Sequence, residues 1–216
     1  MPKRRKKQQH WTNKITRFIA KLILVILMIA GISKFSSTQT NDNPTSKTLA
    51  TQVQQVTQYH FIRTIAPIVK TTSAPYHLLS SITLAQACLE SDFGQSSLAS
   101  QYHNLFGVKA YGDVPKIKLD TKEFVNGKWI TISGSFRVYE SDTASIQGHA
   151  RLLANGTTWN PKQYASVLQA KDYKTAANAL YTSGYATDPT YAKKIIEMIE
   201  TYHLDQYDAK TPPTTP

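Results

Sequence analysis

The sequence predicts an α+β domain in two lobes, a mainly helical lobe and a small β-hairpin lobe, with a cleft between them. Three observations carry this reading. Apolar residues recur at helical spacing before residue 100 and again after residue 142. Between them, residues 114–140 are rich in β-branched and aromatic side chains. Within that stretch Asn126-Gly127 is a strong signal for a two-residue hairpin turn.

The elements follow in order. "TLATQVQQVTQYHFIRTIAPIVKTT" has helical periodicity, with Pro67 expected to kink or break it. "PYHLLSSITLAQACLE" is a second helix with Leu78, Ile82, Ala85 and Leu89 on one stripe. "KIKLDTKEFVNGKWITISGSFRVYE" supplies the hairpin. Helices resume near Asp142 ("DTASIQGHARLLA"), after Pro161 and around 172–182. The last is expected to start at Asp188-Pro189, an N-cap followed by proline in the first turn. The folded body is residues 49–208. A polar stretch at 33–48 reads as a flexible spacer and 209–216 as an unfolded tail. No internal repeat is present that would add an array of binding modules.

The N-terminus has a different grammar. Residues 1–14 form a basic lead, and 15–32 include eleven uninterrupted apolar or glycine residues from Leu22 to Ile32. Eighteen residues from Ile15, with Arg17 and Lys21 snorkelling, span roughly 27 Å, enough for a thin bilayer core. The basic end is then expected in the cytoplasm and the body outside. A cleavable signal peptide is the competing reading. An uncleaved anchor is preferred because no small-x-small site stands out, Gly31-Ile32-Ser33 being the nearest.

Charge argues against nucleic acid as a partner. Of the formal +11, nine basic residues lie in the first 34 positions, leaving 16 basic against 14 acidic in the remainder. The body is nearly neutral. Cys88 is the only cysteine, which rules out an intramolecular disulfide and suggests a small buried apolar residue. There is no G-x-S-x-G elbow, H-E-x-x-H pair, EF-hand loop, P-loop or dinucleotide fingerprint. His149 reads as a polar residue on a helix face.

Carboxylates remain as candidates for chemistry. At 100° per residue, Glu90 falls about a quarter turn off the Leu78 stripe, beside the buried face and near a helix C-terminus. Partial burial and the helix dipole both favour the protonated form that a general acid needs. Periodicity alone leaves a solvated helix-end glutamate equally open. Glu123, three residues before the hairpin turn, gains interest only as a partner across the cleft, since cleavage of a glycosidic bond uses two such groups. The aromatics Tyr102, Phe106, Trp129, Tyr139, Trp159, Tyr181 and Tyr185 are spread through loops and strands, where some could stack on sugar rings and others must be core.

Five motifs, "AQACLESDFGQSSLA", "YHNLFGVKA", "TKEFVNGKW", "FRVYES" and "SGYATDPTYAKKI", occur in an order and spacing that resembles glycoside hydrolase family 73. These are bacterial endo-β-N-acetylglucosaminidases that cut peptidoglycan, including the muramidase-like domain of the flagellar rod protein. The resemblance covers residues 55–205 and implies a lysozyme-like helical lobe beside the hairpin lobe. It implies Glu90 as general acid, Glu123 as second carboxylate and Tyr185 as a tyrosine of the active site. Asn104, Phe106 and Gly107 match the segment that lines the cleft and supports the acid. Tyr102, Trp129 and Tyr139 are added as candidate substrate contacts. "LESDFG" stands where "LESGWG" is commoner, which puts Asp92 beside the acid, where its charge would raise the acid's pKa further if the two are close. The second step, by the hairpin carboxylate or by the substrate's own N-acetyl group, is left open.

The expectation is therefore an exported, membrane-tethered peptidoglycan hydrolase on the outer face of the membrane or in the wall. It would act on glycan strands as a monomer, with no metal or organic cofactor. The rivals are a lytic transglycosylase or muramidase on a similar lobe, and a non-catalytic wall-binding protein.

Overall fold

A computed structural model describes residues 44–125 and 128–208, with side chains described except at 44–47, 121–125, 128–130 and 132. The elements are α1 (Pro44–Ser73), α2 (Ser80–Ser91), α3 (Ser97–Tyr102), β1 (Lys116–Val125), β2 (Lys128–Arg137), α4 (Asp142–Asn155), α5 (Ala165–Gln169), α6 (Tyr173–Thr182) and α7 (Tyr191–Tyr202). Short 3-10 turns follow α1 and α7. The two strands form one antiparallel ladder, from Lys116 opposite Arg137 to Val125 opposite Lys128. The Asn126-Gly127 turn, the apolar segment 15–32, the spacer up to residue 43 and the tail 209–216 lie outside the described residues. Among the described residues, no helix is long and apolar enough to cross a membrane.

α1 buries Ile62, Ile65, Ala66 and Val69, one stripe at helical spacing. It begins at Pro44, inside the stretch read as spacer, and it runs through Pro67 without a break. Pro67 and Arg63 are both exposed. The carbonyl that loses its donor therefore sits on the wet side of the helix, where water can satisfy it.

α2 is the hub, packed by α1, α7 and the C-terminal 3-10 turn. The single apolar stripe expected for it is too narrow a description. Every residue of α2 except Leu89 is buried, so the helix is enclosed on all sides. Cys88 is 1% exposed, as its apolar reading requires, and burial pushes its thiol pKa up. Burying Ser81, Gln86 and Glu90 in such a helix demands partners. The N-cap Leu79 offers no side-chain bond. Asp208 supplies the cap from the far end of the domain, accepting from Ser81 N at 2.8 Å and Ser81 Oγ at 2.7 Å. Asp208→Ala is expected to lower unfolding stability by about 1–2 kcal/mol, read by urea denaturation at pH 7.

The hairpin is seated by a small second cluster, in which Leu98 of α3 and Phe136 of β2 are packed by Tyr102, Ile117 and Leu119. This fixes the β lobe against the end of α3, immediately after the chain leaves α2.

Candidate active site

Glu90 is 8% exposed, in the last turn of α2. Its Oε1 accepts a hydrogen bond from Tyr191 Oη at 3.1 Å, and Tyr191 Oη in turn accepts from Gln86 Nε2 at 3.0 Å. Burial raises the Glu90 pKa from its ordinary 4.5 to about 8, against the opposing pull of the Tyr191 hydrogen bond and the Lys194 charge. Lys194 is itself paired with Asp188, Nζ to Oδ2 at 2.7 Å, which tempers its hold on Glu90. The carboxyl is therefore a protonated acid at neutral pH. Asp92 plays no part in this. It is exposed and caps α2 in the left-handed conformation at φ 50°, which Asp tolerates better than most residues. The conditional effect on Glu90 expected of Asp92 is not among the causes of the shift.

Behind Glu90 stands a wall of rings. Tyr185 stacks on Tyr191 with centroids 5.8 Å apart and planes at 16°. It meets Tyr164 and His149 edge-on, each at 6.0 Å. Its phenol pKa is pushed up by burial and then by the Glu90 charge, so the two groups are close enough to interact. His149 is fully buried on α4, stacked on Phe106 at 4.0 Å and 13°. The expectation of a helix-face histidine is corrected. Burial drives its pKa to about 3, so the ring is neutral at physiological pH.

Asn104 and Phe106 are also buried, at 1% and 0% exposure. Asn104 is a three-way clamp. Its Nδ2 donates to the carbonyls of Val108 at 2.9 Å and Arg137 at 2.8 Å, and its Oδ1 accepts from Val108 N at 2.9 Å. It ties the "NLFG" turn to the end of β2. Gly107 is buried with φ 63° inside that turn. These three residues shape the site from within the fold rather than from an exposed cleft wall. Tyr102 is half-buried, and its carbonyl accepts from Tyr139 N at 3.0 Å. Glu123 sits on β1 opposite Ile130, and Trp129 opposite Phe124. The side chains of Glu123 and Trp129 lie outside the described residues.

Tyr139 is 7% exposed, with the Arg137 guanidinium 5.0 Å from its ring centre. It borders a cavity of about 450 Å³ between the hairpin base, α4 and the loop after α4. Glu90 does not line this cavity. Among the described residues, no group of three or more His, Cys, Asp or Glu is placed to hold a metal ion.

The family model for glucosaminidase (mannosyl-glycoprotein endo-beta-N-acetylglucosaminidase) matches residues 66–204. The chain belongs to this family. It is similar to the exo-glucosaminidase LytG of Bacillus subtilis (strain 168), 51% identical over 137 residues, covering 63% of this chain and 49% of LytG. It is also similar to a probable N-acetylmuramidase of Lactococcus lactis subsp. lactis (strain IL1403), 37% identical over 151 residues, covering 68% of this chain and 34% of that protein. Among solved structures, the catalytic domain of the autolysin Auto from Listeria monocytogenes aligns with a TM-score of 0.64 at 36% identity, covering 70% of this chain and 88% of that one. The chain spans about half or less of the length of the curated relatives it matches.

In this glucosaminidase domain the structure brings Glu90 and Tyr185 together, with Asn104, Phe106 and Gly107 behind them. Sequence reasoning missed Tyr191, the residue that bonds Glu90. The only signal was its place three residues after Asp188 in "YATDPTYAKKI". The last helix starts at Tyr191 rather than at Asp188. Asp188 organises the preceding turn, accepting from Thr190 N at 2.8 Å and Thr190 Oγ1 at 2.7 Å. That turn aims Tyr191 at Glu90.

Proposed function

We propose that this glucosaminidase domain hydrolyses peptidoglycan, cutting the β-1,4 bond that follows N-acetylglucosamine within glycan strands. The observation that carries the proposal is the buried Glu90 carboxyl, held by Tyr191 and protonated up to about pH 8. Such a group can deliver a proton to the leaving glycosidic oxygen as the bond to the sugar breaks. A second carboxylate is then needed to stabilise the oxocarbenium-like centre or activate water, and Glu123 on β1 is assigned that role. The alternative for this step is the N-acetyl oxygen of the substrate. Tyr185 and Tyr191 form the floor that excludes water behind the acid.

The relatives named above divide between a glucosaminidase and a probable muramidase, so the bond cut needs its own test. Mass spectrometry of purified wall digested by the protein is expected to give products with reducing N-acetylglucosamine ends. Muramic acid ends would favour a muramidase, and anhydro-muramic ends a lytic transglycosylase; either overturns the proposal.

The basic lead and the apolar residues 15–32 support export with an uncleaved anchor, which would confine hydrolysis to wall near the membrane. Recovery of the protein from culture medium with a new N-terminus near residue 34 would contradict the anchor.

A further inference from the structure

We propose that the cavity at the base of the hairpin binds a carboxylate of the peptide attached to muramic acid, so that the domain selects peptide-bearing glycan over bare glycan. The inference rests on the peptidoglycan reading and deepens it.

The cavity is built from two directions. Arg137 and Tyr139 come from the end of β2 and the residues after it. Gly148, Arg151, Leu152 and Asn155 come from α4, where their spacing puts them on one helix face. His149, the next residue along α4, is buried instead against Phe106 and Tyr185. One helix thus forms part of the ring wall near Glu90 and one side of the cavity. A ligand in the cavity would lie beside the glycan site, as a substituent of the glycan would.

Arg137 and Arg151 both line the cavity, and among the described residues no Asp or Glu does. Among the described residues neither Arg137 nor Arg151 has a carboxylate partner. Both guanidinium charges are near enough to the Tyr139 phenol to act on it. Two guanidinium groups lining one cavity, with no carboxylate partner among the described residues, favour an anion there. Arg137 lies 5.0 Å from the Tyr139 ring centre, and a guanidinium suits the planar, bidentate recognition of a carboxylate.

The arrangement is held in place. A methyl group at Gly148 would come within 2.9 Å of Tyr139 Cε1 and 3.0 Å of its Oη, so glycine there lets the tyrosine lie against α4. The volume, about 450 Å³, is within the usual range for small-ligand clefts. The rest of the lining is mixed, with Val108, Val114 and Leu152 beside exposed Trp159. A peptide offers apolar side chains together with its carboxylate. A phosphate polymer would leave this apolar wall unused.

The test has a binding arm and a rate arm. In the first, full-length Glu90→Gln protein is titrated with free stem peptide, with the same peptide amidated at its carboxylates, and with inorganic phosphate. The free acid is expected to bind roughly tenfold more tightly than the amidated form, and Arg151→Gln to remove that difference. In the second, the wild-type protein is given glycan strands with peptides and strands stripped of them. A rate ratio of about ten is expected to collapse toward one in Arg151→Gln. Arg151 is exposed, so the substitution leaves the core untouched. Equal binding of acid and amide overturns the proposal, as does tighter binding of phosphate than of the peptide. A ratio unchanged by Arg151→Gln also overturns it. Should neither glycan be cut while the peptide binds as expected, the hydrolase reading fails and the site stands.

Discussion

Glu90→Gln is expected to reduce wall hydrolysis by a factor of about 10²–10⁴ while making the protein more stable at neutral and alkaline pH. The loss follows from removal of the only proton donor identified in the site. The gain follows from linkage. The carboxyl pKa is raised in the folded state, from 4.5 to about 8, so burial favours the protonated form. Stability associated with that form is full below about pH 4.5 and is lost progressively as pH rises toward 8. Glutamine cannot ionise, and its carbonyl oxygen can still accept the Tyr191 hydrogen bond. The variant should therefore match wild type near pH 4 and exceed it by roughly 1–3 kcal/mol near pH 8, where the difference levels off. Chemical denaturation at both pH values, beside turbidity clearance of purified wall, measures both effects. An active variant would remove Glu90 from the chemistry. An inactive variant without the alkaline stabilisation would show that the carboxyl is not held protonated.

Asn104→Ala is the second large effect. One side chain satisfies Val108 N, Val108 O and Arg137 O. Truncation leaves three partly buried backbone groups without a partner and detaches the "NLFG" turn from β2. A cost of about 2–4 kcal/mol is expected, or a fall in Tm of roughly 5–15 °C for a domain of this size. Asn104→Asp should not rescue it. The isosteric carboxylate keeps the acceptor for Val108 N but presents oxygen to two carbonyls where the amide donated. Equal Tm for wild type and Asn104→Ala would contradict the clamp.

The hairpin was legible because its signals are local: strand composition and a two-residue turn set its bounds, and the register from Lys116–Arg137 to Val125–Lys128 accords with them. The helix near Asp142 was legible for the same reason, since its period lies within "DTASIQGHARLLA" itself, and it does start at Asp142. α3 went unread because six residues are too few for a period to emerge. The site was harder. Helical phase put Glu90 beside a buried stripe, but α2 is enclosed on every side, and that depends on elements far away in the chain. The hydrogen bond to Tyr191 joins residues 101 positions apart. His149 shows the same limit, since its burial depends on Phe106 from another segment. Local sequence marked Glu90 as eligible and the family motifs singled it out. The physical cause of its protonation is visible only in the packed domain.

The central claim is that Glu90 is a buried acid which keeps its proton at neutral pH. The direct measurement is the carboxyl titration of Glu90 by carbon-detected NMR, assigned against Glu90→Gln. A midpoint near 8 is expected, with a matching decline in wall hydrolysis above that pH. A midpoint near 4.5, the ordinary value for a glutamate, would contradict the account.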